Sequence, residues 1–219
     1  LAIGAMTTYT ALAGSELVQS KAPILADASG QVADNQIRNR GTIGGSLSHS
    51  DPAGDLPAVA LALGAQMKTS SSGAHRTINA DDFFVDLMTT ALEPNEILSE
   101  ISIPALPAGT GTAYVKFANK ASHYAVVGVA AVITVGSDGT CQSARIAITG
   151  AGPKATRATA SESALVGSSL DDAAINAAAS HAGEGIDFNE DVHASAEYRA
   201  HLTKVYAGRA IRAAVGNAS

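Results

Sequence analysis

Arg38-Asn39-Arg40-Gly41-Thr42-Ile43-Gly44-Gly45-Ser46-Leu47-Ser48-His49-Ser50-Asp51-Pro52-Ala53-Gly54-Asp55 places three glycines and a threonine within the five residues from 41 to 45. Glycine lets a backbone approach a ligand closely and adopt positive φ. Successive exposed N–H groups in such a loop form an anion-binding nest, and the hydroxyls of Thr42 and Ser46 suit phosphate oxygens. Asp55, ten residues after Gly45, is no phosphate ligand; its carboxylate suits ribose or ring hydroxyls. A phosphate nest beside a carboxylate points to a nucleotide cofactor. The same string also reads as a tight structural turn, and spacing alone leaves both readings open.

On the N-terminal side, Leu1-Ala2-Ile3-Gly4-Ala5 reads as a strand already under way. Thr7 and Thr8 suit a helix cap, Gly14 interrupts that helix, Ser15 starts another and Pro23 opens a third. On the C-terminal side, Leu56 to Leu63 is small and apolar, as in a buried helix. Gln66–Ser70 and His75–Ile78 read as short strands around a Ser/Gly turn, and Glu96–Ile103 alternates as a strand does. Pro104 to Gly111 is the best linker in the chain. Beyond it come strand patterns at Thr112–Phe117, Tyr124–Val135 and Thr140–Thr149, with a hairpin turn at Gly136-Ser137-Asp138-Gly139. Ser169-Leu170-Asp171-Asp172 resembles a capping box, and a last helix runs from about Ser195. The fold class is α+β. The expected division is residues 1–104 and residues 105–219, the latter a three-stranded antiparallel sheet with helices.

Composition narrows the function. The 219 residues are 46% hydrophobic, 16% charged and 4% aromatic, which excludes a disordered polymer. A net charge of −6 argues against nucleic acid, and no apolar run has the length of a membrane span. One cysteine, Cys141, excludes an internal disulfide framework and any multi-cysteine cluster site; it reads as a small buried hydrophobe. His181, His193 and His201 have no metal-ligand spacing, and there is no Gly-x-Ser-x-Gly elbow. With nothing demanding an oxidising compartment, the cytoplasm is expected.

The whole string resembles the FAD-binding medium subunit of the molybdenum hydroxylases, the family of carbon monoxide dehydrogenase and xanthine dehydrogenase. Arg40-Gly41-Thr42-Ile43-Gly44-Gly45, then Asp51-Pro52 and Asp55-Leu56-Pro57-Ala58, match that family's second flavin motif. Leu1 to Thr8, Glu96-Ile97-Leu98 with Ile103-Pro104, Lys116 with Lys120, and Tyr198-Arg199 follow in family order. The resemblance implies the second half of a PCMH-type FAD-binding domain followed by a small sheet-plus-helices C-terminal domain. It implies that Thr42, Ile43, Gly44, Gly45 and Ser46 hold the FAD pyrophosphate, mainly through backbone N–H groups. Asp55 would bind the ribityl or ring side, Leu98 would pack on the flavin region, and Lys116 would reach the flavin's polar edge. Tyr124 matches an aromatic residue lying over the isoalloxazine, His49 resembles a position near the flavin, and Asn39 and Arg40 would order the loop. Ser46 departs mildly from the acidic or amide residues also found there. The family's first flavin loop, of the Ala-Gly-Gly-x-Ser type, precedes the stretch matching Leu1–Thr8, so further sequence upstream is expected.

The resemblance implies an electron-transfer flavoprotein oxidoreductase subunit with FAD as cofactor and no catalytic acid or base of its own. Its partners would be a large molybdenum-cofactor subunit and a small iron–sulfur subunit, in a heterohexamer of two three-subunit units. The loop and length look closest to the carbon monoxide dehydrogenase type; xanthine, N-heterocycle and aldehyde dehydrogenases are the related alternatives. A structural scaffold that has lost its flavin is the competing class, and it would have no need of Thr42, Gly44, Gly45 and Asp55 together.

Overall fold

In the computed structural model, which describes residues 1–218, short polar side chains set where the first helices begin. Strand β1 (Ala2–Gly4) leads into α1 (Tyr9–Gly14), α2 (Glu16–Lys21), α3 (Pro23–Gln31), α4 (Asn35–Arg38), α5 (Ile43–His49) and α6 (Asp55–Ala62). Thr8, Ser15, Asp34 and Thr42 are N-caps that accept from the amides of Ala11, Val18, Ile37 and Gly45, satisfying donors a helix leaves open. Then follow β2 (Gln66–Ser71), β3 (Ala74–Asn79), α7 (Ala80–Phe83), β4 (Phe84–Asp86), β5 (Thr89–Thr90) and β6 (Ile97–Ser102). An antiparallel sheet forms in the order β1-β6-β2-β3, with β4 and β5 as a separate hairpin.

The second half carries β7 (Thr110–Ala118), β8 (Ala125–Val135), β9 (Cys141–Thr149), β10 (Thr156–Arg157), α8 (Thr159–Leu165), α9 (Asp172–Ser180) and α10 (Ala196–Gly216). Its antiparallel sheet has the order β10-β9-β8-β7. The sequence predicts three of these strands. The fourth has two residues, paired with Ile148 and Ala147 after the turn at 150–153, and two residues carry no readable alternation. The cap of α9 also moves: Asp171, not Ser169, accepts from the Ala174 amide.

Both faces of this second sheet are covered. Tyr114, Ala130, Val132 and Ala147 belong to the core shared with the first half. Val127, Val129, Ile133, Ile146 and Ile148 face a second core closed by Leu165, Ile175, Tyr206 and Ile211 of the last helices. All eight residues of α6 are buried, and small side chains such as Ala58 and Ala62 let it lie close to β9. Arg145 of β9 donates to the Leu61 carbonyl, 3.1 and 2.7 Å, and to Asp81. These bonds add to the one that the Leu61 carbonyl accepts from the Gly64 amide at the end of α6.

Arg199 fastens α10 to the sheet. It is 4% exposed and donates to Val126 O (2.6 Å), Gly150 O (2.7 Å) and Asp191 Oδ2 (2.7 Å). A lysine cannot span three acceptors held by the planar fork of a guanidinium. Arg199→Lys should therefore lower the unfolding free energy by about 1–3 kcal/mol, because buried carbonyls lose their donor. Denaturant titration at neutral pH measures this, and an unchanged midpoint would show that the three contacts contribute nothing.

Candidate functional site

A cavity of about 630 Å³ lies between α5, the turn joining α3 to α4, the start of α6 and the segment 119–124. Its size is within the usual range for small-molecule and cofactor sites. Tyr9, Asp34, Arg40, Thr42, Gly45, Ser46, His49, Asp51, Asp55 and Tyr124 are among the lining residues.

The glycine-rich segment folds as the first turn of α5, and this changes its chemistry. The Ile43 amide donates to Thr7 O (3.0 Å), Gly44 to Ala5 O (2.8 Å) and Ser46 to Thr42 O (3.0 Å), while Gly45 donates to Thr42 Oγ1 (3.1 Å). The expected nest of free backbone donors at 43–46 is therefore not formed: helix capping and the end of β1 consume those amides. The Thr42 amide has no partner among the described residues. Other donors toward an anion on this wall include the hydroxyls of Thr42 and Ser46, the guanidinium of Arg40 and the imidazole of His49.

The two adjacent glycines serve different neighbours. A Cβ on Gly44 would sit 2.5 Å from Ala5 Cβ and 2.7 Å from its carbonyl oxygen, so Gly44 permits α5 to dock on the β1 end. Gly45 faces the cavity, where a side chain would occupy ligand space and approach Thr42 Oγ1 at 2.9 Å. The opposite rim is shaped by Arg38, which donates to Val32 O (2.6 Å), Ala33 O (2.8 Å) and Asn35 Oδ1 (2.6 Å). It thereby holds a turn in which Ala33 has φ 41°. Asn39 accepts from the Thr10 hydroxyl, tying the loop to α1.

Asp55, the first residue of α6, forms the floor. Tyr114 donates to its Oδ1 at 2.5 Å and Lys116 to its Oδ2 at 2.9 Å. The Asp55 and Lys116 side chains are only 5% and 6% exposed. Burial raises the Asp55 pKa, opposed chiefly by the charge of Lys116 and then by the bond from Tyr114. Burial and the Asp55 charge push the Tyr114 phenol well above its ordinary value. Tyr9 is raised by burial, opposed by a bond with Ser46, and Tyr124 is raised by burial and by the charge of Asp51. The phenols around this cavity therefore stay protonated at neutral pH.

The sequence-predicted residues divide into two groups. Thr42, Gly45, Ser46, His49, Asp55 and Tyr124 meet at the cavity. His49 is largely exposed, with Nε2 3.9 Å from Asp51 Oδ2. Tyr124, 48% exposed, also borders a second cavity of about 320 Å³. Ile43 and Leu98 instead lie in the core, Gly44 is sealed against Ala5, and Lys116 lies beneath the floor. The physical reason is packing parity: Ile43 and Leu98 point away from the wall that their neighbours form. Lys116 is likewise buried rather than solvated. Tyr9, Asp34, Ile37, His123 and Tyr114 had no role in the sequence reading. Tyr114 and Lys116 are two apart in a strand and so share a face, which is the signal that joins them.

Residues 1–106 match the family model described as FAD binding domain in molybdopterin dehydrogenase. Residues 112–214 match the model described as CO dehydrogenase flavoprotein C-terminal domain. The chain is 39% identical over 212 residues to the carbon monoxide dehydrogenase medium chain of Hydrogenophaga pseudoflava, covering 97% of this chain and 74% of that one. It is 38% identical over 218 residues to the 6-hydroxypseudooxynicotine dehydrogenase complex subunit alpha of Paenarthrobacter nicotinovorans, covering all of this chain and 74% of that one. It superposes on a chain of the carbon monoxide dehydrogenase structure from Hydrogenophaga pseudoflava with TM-score 0.96 and 40% identity, covering 100% of this chain and 76% of that chain.

Asp55→Asn leaves the Lys116 ammonium buried without a counter-charge. The expected cost is about 3–5 kcal/mol of unfolding free energy at neutral pH, read by denaturant titration. A cost near zero would mean that Asp55 is uncharged in the folded chain.

Proposed function

We propose, on the premise that this chain belongs to the family of FAD-binding medium subunits of molybdenum hydroxylases, that it binds FAD in the cavity floored by Asp55 and serves as an electron-transfer subunit. FAD is the cofactor of this family, and its relatives are oxidoreductase subunits. The observation that carries the reading is the pairing of Gly45, which leaves the wall open where a Cβ would fill it, with the acceptor Asp55 in the same cavity.

The donor set fits a dinucleotide. Thr42, Ser46, Arg40 and His49 supply hydroxyl, cationic and imidazole donors suited to phosphates. Asp55 supplies an acceptor for a ribityl or ring group, and Tyr124 an aromatic surface for the flavin ring. Ile43, Gly44 and Leu98 act on the flavin through packing, by fixing α5 and β6 behind the wall. When bound, FAD supplies reversible electron storage. The protein supplies binding, orientation and electrostatic tuning. The proposed division is a FAD-binding part at 1–104 and a C-terminal part at 105–219.

The proposed electron path enters from iron–sulfur clusters on a partner, since one cysteine here cannot ligate such a cluster. The substrate would be oxidised on a large molybdenum-cofactor subunit, with two copies of each of three subunits in the assembly. No helix among the described residues is long and apolar enough to cross a membrane, and a cytoplasmic setting is proposed. The similarity to carbon monoxide dehydrogenase medium chains supports that type of complex. The similar identity to subunits of nicotine-pathway enzymes supports an N-heterocycle dehydrogenase as the second reading.

The deciding experiment denatures the complex purified from its source and identifies released flavin by chromatography. The expected result is FAD at about one per chain. An intact complex without flavin would establish a scaffold instead. Gly45→Val should abolish FAD retention while leaving the fold intact by circular dichroism; full FAD occupancy in that variant would place the cofactor elsewhere.

A further inference from the structure

We infer that Lys116 is a positioning residue: from beneath the cavity it holds the Asp55 carboxylate in place as a hydrogen-bond acceptor and fastens the segment 119–124 to the cavity, without touching the ligand. This rests on the FAD reading of the cavity and deepens it.

The three protons of an ammonium group are all committed. Nζ donates to Asp55 Oδ2 (2.9 Å), to Gln31 O at the end of α3 (2.9 Å) and to His123 O (2.8 Å). These acceptors belong to three separate walls of the cavity. His123 holds φ 61°, a strained value for a non-glycine residue, and it turns its carbonyl to Nζ immediately before Tyr124. The Asn119 side chain closes the same segment by accepting from the amides of Ala121 and Ser122. Tyr114, on the same face of β7, occupies the other Asp55 oxygen. Room for its hydroxyl depends on Gly128, the β8 partner of Lys116, where a Cβ would lie 2.5 Å from the Tyr114 oxygen. Each Asp55 oxygen thus has one protein donor, and a carboxylate oxygen accepts more than one. Asp55 can therefore receive a ligand O–H or N–H, while Lys116 has nothing left to give.

Without Lys116, the carboxylate keeps its burial and loses its counter-charge. From α1 it faces the Tyr9 phenol, and from β7 the Tyr114 phenol, which also feels Asp27 of α3. Asp51 and Tyr124 complete its nearer surroundings. Farther along the cavity lie Asp34, Arg40, His49 and His123. Three carboxylates against one permanent cation favour a protonated Asp55, which has lost acceptor capacity. The consequence is a pH dependence of ligand affinity beyond that of the wild type.

The test measures FAD affinity by flavin fluorescence for wild type, Lys116→Met and the double variant Asp55→Asn/Lys116→Met, in the native complex, from about pH 5.5 to 8.5. The expected result is at least about tenfold weaker FAD binding by Lys116→Met, with a pH-dependent step that disappears in the double variant. A loss equal at every pH in both variants, or no loss, overturns the proposal. Should Lys116→Met fail to fold, Lys116→Gln carries the test. It keeps a hydrogen-bond donor and removes the charge, and several-fold weaker FAD binding at the acid end of the range is expected; unchanged affinity overturns the proposal. Thermal unfolding of the FAD-free proteins against pH separates the two levels. Absence of FAD binding by the wild type sinks the cofactor reading and the positioning of a flavin with it. The unfolding midpoints still show whether Lys116 and Asp55 are coupled.

Discussion

A carboxylate and an ammonium, both withdrawn from water, set the terms for the rest of this fold. Each buried ion costs several kcal/mol of desolvation, and only good geometry with further hydrogen bonds offsets it. Asp55 and Lys116 meet that condition at 2.9 Å, with Tyr114 on the second carboxylate oxygen and two backbone carbonyls on the ammonium. The position of Asp55 in the first turn of α6 adds the favourable end of the helix dipole. For all of these to hold at once, the end of α3, the start of α6, strand β7 and the segment 119–124 must be in register. The cavity lies over that junction, with α5 as its other wall.

The two halves of the chain are joined by the same logic carried outward. Helix α6 is buried over its whole length and touches the second sheet through small side chains, so the sheet's first-half face is dry. Arg145 and Arg157 then bind Asp81 at the edge of that contact, with Arg157 also paired to Glu162. On the far side of the sheet, Arg199 ties α10 to β8 and to the turn at Gly150. Apolar area supplies most of the attraction, and polar bonds to specific carbonyls choose which arrangement is adopted. With so few aromatic residues, close approach of alanine-rich surfaces replaces large side chains in the interior.

Much of this was legible in the sequence. Thr8, Ser15, Pro23 and Ser195 each mark a helix start by a mechanism local to that residue, and the structure puts helix starts there. The strands at 125–135 and 141–149 stood out as apolar runs around a Ser-Asp-Gly turn. Two things were not legible, for a shared reason. Whether the amides of Ile43 and Gly44 are free depends on Thr7 and Ala5, some forty residues away. Whether Lys116 reaches a ligand or a buried partner depends on Asp55, Gln31 and His123. Local rules predict caps and turns; they do not say which tertiary neighbour takes a donor that sequence leaves open.

That distinction bears on how the site works. A loop of free amides would bind any anion of suitable size, because amides carry no side-chain identity. Here those amides are spent on capping α5 and on holding it to the end of β1. The polar groups left at the cavity are mainly side chains, among them the hydroxyls of Thr42 and Ser46, the Arg40 guanidinium, the His49 imidazole and the Asp55 carboxylate, which two donors fix. Hydroxyls and a guanidinium suit a phosphate, and the carboxylate suits a hydroxyl or N–H donor. The phenols of Tyr9 and Tyr124, held protonated by burial, present aromatic faces that carry no charge at neutral pH. An extended ligand with an anionic centre, a polyol and a planar ring satisfies all three regions at once, and a simple phosphate satisfies one. In the proposed reading the cavity gains its selectivity from the combination of unlike groups, and the buried ion pair that orders the fold also holds the carboxylate among them.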